Sequence, residues 1–223
     1  MTDPARMPAP ERVYGSLSSM LRKYDRYARK DAFCGQTPQE FEAWRARTRA
    51  LLHELLGTDK MERCAPQPRQ TETILLEQGI RREHWRIQVE PDVWMTLFLL
   101  VPENTDAGMP VVLCPPGHNG AGKYSVAGVR DYPTIAEKID HYHYDYGLQL
   151  AKLGCVAVCP DCRGFGERRE DAEDPQRLPE GLKGDCYRLA HMGEPLGIPV
   201  IGMLTWDLAR LIDWLEAEGR FST

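Results

Sequence analysis

The chain has 223 residues, of which 42% are hydrophobic and 27% are charged, proportions typical of a globular protein rather than a disordered one. Its net charge of −5 comes from interspersed acidic and basic residues without a basic face or tail, so we expect no nucleic-acid partner. No apolar run approaches the roughly 20 residues that a membrane-spanning helix needs, so we expect no membrane partner.

The N-terminal stretch and the cysteines together bear on localisation. Residues 1–12 are polar and rich in proline, and they lack the apolar segment of a secretory signal. The chain nevertheless has seven cysteines. Cysteines in a chain without a secretory signal are typically reduced thiols, so we expect a cytoplasmic protein.

Residues 1–70 are predicted to form a helical N-terminal extension. Residues 17–30 have a mixed helical spacing that puts Leu17, Leu21, Tyr24 and Tyr27 on one side. Thr37 to Glu40 form a capping box with proline at the first helical position, and Gly57 is a stop signal. We expect the helix between them to bury Phe41, Trp44, Leu51, Leu52 and Leu55. Its role is either packing or forming a wall of a substrate pocket.

Residues 71–223 are predicted to form the main domain, which opens with three strands. The strand candidates are ETILLEQ at 72–78, REHWRIQV at 82–89 and WMTLFLLV at 94–101. The turn at 90–92 predicts that the last two form an antiparallel hairpin.

Two later stretches have a common design. In VVLCPPGHNG, residues 111–120, a short apolar run stops at proline and glycine, as it does again in CVAVCPDCRGFGER, residues 155–168. Such runs are typical of buried parallel strands that end in sharp loops. A helix ending near Gly154 lies between them. We therefore predict adjacent or near-adjacent parallel strands at 111–115 and 155–159, with helices on both faces of the sheet.

Three further segments complete the pattern. Residues 118–145 and 163–200 are rich in glycine, with tyrosine or proline, and are predicted to be long irregular segments at the functional edge of the sheet. Residues 200–218 predict an amphipathic helix ended by Gly219. Its inward residues are expected to be Trp206, Ala209 and Ile212, with Leu208, Leu211 and Leu215 as further candidates; its outward or edge residues are expected to be Asp207, Arg210, Asp213 and Glu216.

Three short motifs suggest other chemistry and are weak. Cys159 and Cys162 have the spacing of a redox pair or half a zinc site, but no second such pair exists and Arg-Gly-Phe-Gly follows. His141 and His143 lead into a helix, where their spacing does not put both rings on one face. Gly-Ala-Gly-Lys at 120–123 lacks the Ser or Thr of a phosphate-binding loop. We therefore expect no metal and no nucleotide.

The segments PPGHNG and YGLQLAKLGCVAVCPDCRGFGER resemble the α/β-hydrolase superfamily, in its acetyl xylan esterase and dienelactone hydrolase-like branch. Asp161, Arg163, Gly164 and Gly166 match the D-x-R-G-x-G motif of that branch position by position. The resemblance covers roughly residues 72–221. It implies an α/β-hydrolase fold, present here as its N-terminal part: a mostly parallel sheet flanked by helices, with a helical N-terminal extension.

The resemblance also implies an activity and a set of site residues. The activity is cleavage of a small ester by a Ser-His-Asp triad, without a cofactor. The loop from Gly117 to Gly120 would help to form the oxyanion hole, with His118 or Asn119 as the donor residue. Two roles are open for Asp161, Arg163 and Gly164, which either support their loop or contact the substrate.

One signature of the superfamily is absent from the sequence. No G-x-S-x-G nucleophile elbow occurs in the 223 residues. The resemblance therefore implies that the whole triad lies beyond Thr223, and that this chain is the inactive first half of a hydrolase. A strand edge left unpaired would then bind the missing C-terminal half or another copy of the chain. The alternative is a non-catalytic remnant or interaction module built on the same half-fold.

Overall fold

The computed structural model describes residues 15–103, 108–118, 120–170 and 184–221. The chain divides into two compact units between Leu51 and Leu52, and the division falls within a helix. The two units are described separately.

The first unit contains helix α1 (Leu17–Tyr27) and most of helix α2 (Pro38–Leu56). The predicted capping box is confirmed: the Glu40 amide donates to the Thr37 hydroxyl at 3.3 Å, and the Thr37 amide donates to the Glu40 carboxylate at 2.9 Å. Gly57 follows α2 with the left-handed φ of 64° that suits a helix stop.

The burial predicted for α2 is wrong at three positions. Phe41, Leu52 and Leu55 are exposed, and no residue of the helix is fully buried. At the start of the helix, the rings of Phe33, Phe41 and Trp44 pack on one another with centroids 5.4–5.7 Å apart. These rings therefore form a cluster on the helix surface instead of entering a core.

The second unit is built on one five-stranded sheet in the order β1-β2-β3-β5-β4. The strands are β1 (Arg69–Leu76), β2 (Ile80–Glu90), β3 (Val93–Pro102), β4 (Val111–Leu113) and β5 (Val156–Pro160). Strands β1, β2 and β3 are antiparallel neighbours, and β3 also pairs antiparallel with β5. Strand β4 pairs parallel with β5, with Val112 opposite Ala157. The predicted hairpin and the predicted parallel pair are both confirmed.

Helices cover both faces of this sheet, as predicted. One face carries Val89, Leu97, Leu99 and Val158, which pack with Leu211, Trp214 and Leu215 of helix α7 (Val200–Glu218). The opposite face carries Phe98, Leu100, Ala157 and Cys159, which pack with residues of the short helix α3 (Lys123–Val126) and of helix α5 (Tyr146–Lys152). Successive residues alternate between the two cores because side chains alternate along a strand.

Two orientations predicted for α7 are wrong. Asp207 was expected at the outside of the helix, but it is 1% exposed because two arginines from the loop after β5 pair with it. Ile212 was expected to face inward and is exposed. Trp214, which the sequence analysis did not single out, is buried in the core.

The two segments predicted to be irregular contain helices. Residues 118–145 include α3 and helix α4 (Pro133–Tyr142), whose Ile135 and Ile139 are buried. Residues 163–200 include helix α6 (Cys186–Gly193) and short helical turns at 166–168 and 194–196. Residues 171–183 of that segment lie outside the described part of the chain.

Within the described residues, no single helix is long and apolar enough to cross a membrane; one bent pair, Cys186–Leu196 with Val200–Glu218, has the length and composition to do so when the two are taken together.

The orientation of α7 can be tested by substituting two adjacent residues, one buried and one exposed. Leu211→Ala removes a side chain that is 0% exposed, whereas Ile212→Ala removes one that is 40% exposed. We expect Leu211→Ala to lower the free energy of unfolding by about 2–5 kcal/mol, because it leaves a cavity. Ile212→Ala should lower it by less than about 1 kcal/mol. Urea denaturation followed by circular dichroism measures both, and equal losses would contradict the orientation described here.

Candidate functional site

The loops that follow β4 and β5 meet at one edge of the sheet. Because these strands are parallel, their carboxyl ends lie side by side. The Gly166 amide donates to the carbonyl of Gly120 at 3.0 Å, which ties one loop to the other. The hydroxyl of Tyr146 donates to the carbonyl of Pro115, which holds the start of the first loop. Gly117 and His118 are exposed on this loop, while Asn119 lies outside the described residues.

Asp161, the first residue after β5, joins three segments of the chain. Its buried carboxylate accepts hydrogen bonds from the Thr96 hydroxyl at 2.8 Å, the Lys123 amide at 2.8 Å and the Glu167 amide at 3.2 Å. Its own amide donates to the carbonyl of Thr96 at 2.8 Å. The loop after β4, the loop after β5 and strand β3 are therefore fixed to one carboxylate.

Two glycines make room for that carboxylate. Gly122 and Gly166 both have left-handed φ values, of 55° and 57°. A side-chain carbon at either position would collide with the carboxylate of Asp161. Gly166 is the last glycine of the D-x-R-G-x-G motif, so its requirement for glycine has two causes, the backbone conformation and the space that Asp161 occupies.

Lys123 supplies the positive charge that Asp161 requires. Its side chain is completely buried, and its ammonium pairs with Asp161 and with Glu167, the latter at 3.0 Å. The ammonium also lies 5.1 Å and 4.6 Å from the ring centroids of Phe98 and Tyr124, which is cation–π distance. The lysine of the Gly-Ala-Gly-Lys segment is thus held inside the protein by carboxylates and aromatic rings.

Glu167 extends this buried network toward the surface. The Tyr124 hydroxyl donates to it at 2.6 Å, and the His84 Nε2 lies 3.3 Å from its second oxygen. Burial alone would raise the pKa of Glu167, but His84, Lys123 and Tyr124 stabilise the carboxylate and lower its pKa to about 2 from an ordinary 4.5. Burial and the Glu167 carboxylate raise the pKa of Tyr124 well above its ordinary value. Glu167 is therefore a carboxylate at neutral pH.

A second ion-pair group attaches the same loop to α7 and to the hairpin. Arg163 donates two hydrogen bonds to Asp207, at 3.0 and 2.7 Å, and one to Glu90 at 2.6 Å. Arg168 also donates to Asp207, at 2.8 Å, and to the carbonyl of Asp161 at 2.9 Å. The two-pronged contact between a guanidinium and a carboxylate fixes the orientation of both groups.

Gly164 brings the beginning of α6 to this edge. It has φ 82°, and a side-chain carbon there would collide with the Cys186 amide. The Asp185 amide donates to the carbonyl of Gly164 at 3.0 Å. The approach of these backbones places the Cys186 sulfur 3.4 Å from Nε2 of His118. His118 is thus in contact with α6.

Two cavities lie on the hairpin side of the Asp161 network. One of about 430 Å³ is lined by residues that include His84, Thr96, Tyr124 and Glu167. The other, of about 410 Å³, shares Thr96 and Glu167 and is lined on its other sides largely by arginine and carboxylate side chains. Gly117 and His118 line neither of these two cavities.

The remaining motifs have structural surroundings. Cys159 and Cys162 are buried and free, and burial raises the pKa of Cys162 to about 12. His141 lies near the end of α4, and His143 follows it in a left-handed conformation with φ 55°. Among the described residues, no group of three or more His, Cys, Asp or Glu side chains is arranged to hold a metal ion.

Sequence reasoning missed most partners of Asp161 and Arg163. Lys123 was considered only as part of a phosphate-binding loop, and Glu167, Asp207 and Cys186 were not considered as site residues. The sequence held one indication that Glu167 is a site residue, because it directly follows the D-x-R-G-x-G motif. It held no such indication for Lys123, Asp207 and Cys186, since each contacts its partner across 38 or more residues of sequence.

The family of the chain is shown by comparison with known proteins. The model of the abhydrolase family matches residues 12–218, most of the sequence. The chain therefore belongs to the abhydrolase family, and with it to the α/β-hydrolase superfamily, which confirms the superfamily and the fold class predicted above. No curated protein matches the chain.

A solved structure agrees with this fold. The chain is similar to a candidate acetyl xylan esterase from Bacteroides fragilis, with 21% identity and a TM-score of 0.75 over 94% of this chain and 52% of that one. It also has a lower similarity to the acetyl xylan esterase from Paenibacillus sp. R4, with 15% identity and a TM-score of 0.46 over 91% of this chain and 52% of that one. The chain spans about half the length of these two proteins.

The lowered pKa of Glu167 predicts how the stability of the chain depends on pH. A carboxylate whose pKa is lower in the folded protein contributes stability that is present above its unfolded pKa and is lost as the pH falls through the folded value. Glu167 should therefore contribute on the order of 3 kcal/mol above pH 4.5, falling away toward pH 2. Urea denaturation of the native chain and of Glu167→Gln between about pH 6 and pH 2.5 measures the difference in unfolding free energy. We expect that difference to shrink with acid; a difference independent of pH would contradict the ion pairs described for Glu167.

Proposed function

We propose that this chain is the N-terminal half of a carboxylic-ester hydrolase of the acetyl xylan esterase type, acting on a small ester. The observation that carries the proposal is the meeting of the loops after β4 and β5, tied together at one sheet edge through Asp161 and Gly120. Membership of the abhydrolase family and the Bacteroides fragilis neighbour support the same class of chemistry.

The loop at Gly117 and His118 is proposed to supply an oxyanion donor. An oxyanion hole needs backbone N–H groups that reach the carbonyl oxygen as it gains negative charge. Among the described residues other than its two chain neighbours, none has a heavy atom within 4 Å of the position where a side-chain carbon of Gly117 would stand, so a substrate atom has room to approach the backbone. The anchoring of Pro115 by Tyr146 keeps the loop at the carboxyl end of β4. His118 or Asn119 would donate from here.

The nucleophile is proposed to come from sequence beyond these 223 residues, in which no G-x-S-x-G occurs. Strand β4 has β5 as its one neighbour among the described strands, and Val111, Val112 and Leu113 are only partly buried. We propose that a further strand pairs with this edge and ends in the nucleophilic serine. That strand would come from a C-terminal half or, as an alternative, from another copy of the chain.

The proposed reaction cleaves the ester in two steps through an acyl-enzyme. The serine oxygen attacks the ester carbonyl carbon while a histidine takes the serine proton, and the loop N–H stabilises the resulting oxyanion. Collapse of this intermediate expels the alcohol, which receives the proton from the histidine. Water then attacks the acyl-enzyme in the same way and releases the acid. The residues of the present chain shape the site and stabilise the charge that develops on the oxygen.

The location of the nucleophile can be tested with p-nitrophenyl acetate on the present chain and on a protein extended by the codons that follow Thr223 in the source DNA. The present chain should give no burst of p-nitrophenol, whereas the extended protein should hydrolyse the ester if those codons encode a G-x-S-x-G.

The oxyanion role of the His118 loop can be tested in the extended protein. His118→Pro removes one N–H and should lower kcat by about 10²–10³, with little change in KM.

His118→Ala is the matched control, because it keeps the N–H and should lower kcat by less than about tenfold. A folded His118→Pro enzyme with near-normal kcat would show that this backbone is not the donor. A burst from the present chain that a serine-directed inhibitor abolishes would show that the nucleophile has been misplaced. A stop codon immediately after Thr223 would favour the non-catalytic interaction module.

A further inference from the structure

Cys186 and His118 form a thiol–imidazole pair at the sheet edge. Cys186 is the first residue of α6, and His118 lies 68 positions earlier on the loop after β4. The distance of 3.4 Å between the sulfur and Nε2 is within hydrogen-bond range for sulfur. Neither side chain is fully buried, so a reagent in solution can reach the pair.

The loop after β5 holds both members of this pair. The buried ring of Phe165 lies edge-on to the imidazole of His118, with centroids 5.4 Å apart. Gly164 packs against the Cys186 amide and accepts a hydrogen bond from the amide of Asp185. The neighbouring residues Gly164 and Phe165 thus contact the backbone of Cys186 and the imidazole of His118, so both members of the pair are held by the same loop.

Five of the other six cysteines have surroundings that differ from those of Cys186. Cys114, Cys159 and Cys162 are buried, and burial raises the pKa of Cys159 and of Cys162. Burial also raises the pKa of Cys64, aided by the charge of Glu90. Cys34 is exposed, and its thiol donates to the carbonyl of Ala32 at 3.5 Å. Among the hydrogen bonds of the described residues, the thiol of Cys186 is the one that meets an imidazole.

We propose that Cys186 is a nucleophilic thiol with His118 as its base, and that it is a covalent modification site for carbon electrophiles bearing a leaving group beside a carbonyl. In the reaction, Nε2 takes the thiol proton and the sulfur electron pair forms a bond to the electrophilic carbon. The carbon–leaving-group bond breaks, and the leaving group departs with that electron pair. The thioether that forms lies directly against the His118 loop. The inference concerns the present chain and is independent of its proposed esterase activity.

The experiment compares two cysteines of one molecule. The native full chain is treated with iodoacetamide at about pH 6.5, where an unassisted thiol is mostly protonated, and the extent of alkylation at each cysteine is followed by peptide mass spectrometry. We expect Cys186 to react at least about tenfold faster than Cys34, although Cys34 is the more exposed. In denaturing urea the two rates should converge, because the imidazole contact is lost.

His118→Gln provides the matched variant. It should lower the alkylation rate of Cys186 by about tenfold and leave that of Cys34 unchanged, since Gln is not a base. A native Cys186 that reacts no faster than Cys34 would overturn the proposal, and this comparison needs no variant. An unchanged rate at Cys186 in a folded His118→Gln protein would also overturn it, because the reactivity would then come from exposure alone.

Discussion

The ion pair between Asp161 and Lys123 is the interaction on which the rest of this sheet edge depends. Both side chains are completely buried, and removing two charges from water costs several kcal/mol each. The structure offsets that cost with further hydrogen bonds from Thr96 and from two backbone amides, and with a second carboxylate on the ammonium. Because these partners come from β3 and from both loops, losing the pair would release the loops together.

The loop after β5 is also held by a separate group of ion pairs. Arg163 and Arg168 converge on Asp207, so the loop after β5 is attached to α7, and Arg163 also reaches Glu90 at the end of β2. Helix α7 is in turn held by the apolar core through Leu211 and Trp214. The edge that carries His118 is therefore attached through ion pairs to a packed helix, as the oxyanion role proposed for its loop would require.

The local features of the fold could be predicted from the sequence. Apolar runs that end at proline or glycine located β4 and β5, the turn at 90–92 located the hairpin, and the Thr37–Glu40 spacing located the start of α2. These features depend on residues within about ten positions of one another. The D-x-R-G-x-G motif likewise identified Asp161 and Arg163 correctly as residues of one loop after a buried strand.

The errors have a common physical cause. Asp207 appeared to be an outward residue because helical spacing carries no information about arginines 39 and 44 positions away. The glycines and tyrosines of 118–145 suggested an irregular loop, yet Ile135 and Ile139 found a buried site that stabilises α4. Leu55 of α2 was expected to be buried and is exposed, because helical periodicity predicts which residues share a face but not whether another element packs on that face.

A double-mutant cycle on Lys123 and Asp161 tests the central claim most directly. Lys123→Met, Asp161→Asn and the double variant are compared with the native chain by urea denaturation. The same cycle is made on the exposed pair Arg130–Asp140, in which Nη1 of the arginine lies 2.8 Å from Oδ1 of the aspartate. We predict a coupling free energy of at least about 2 kcal/mol for the buried pair and below about 1 kcal/mol for the exposed pair. Additive losses at Lys123 and Asp161 would contradict the account, because the two side chains would then stabilise the edge independently.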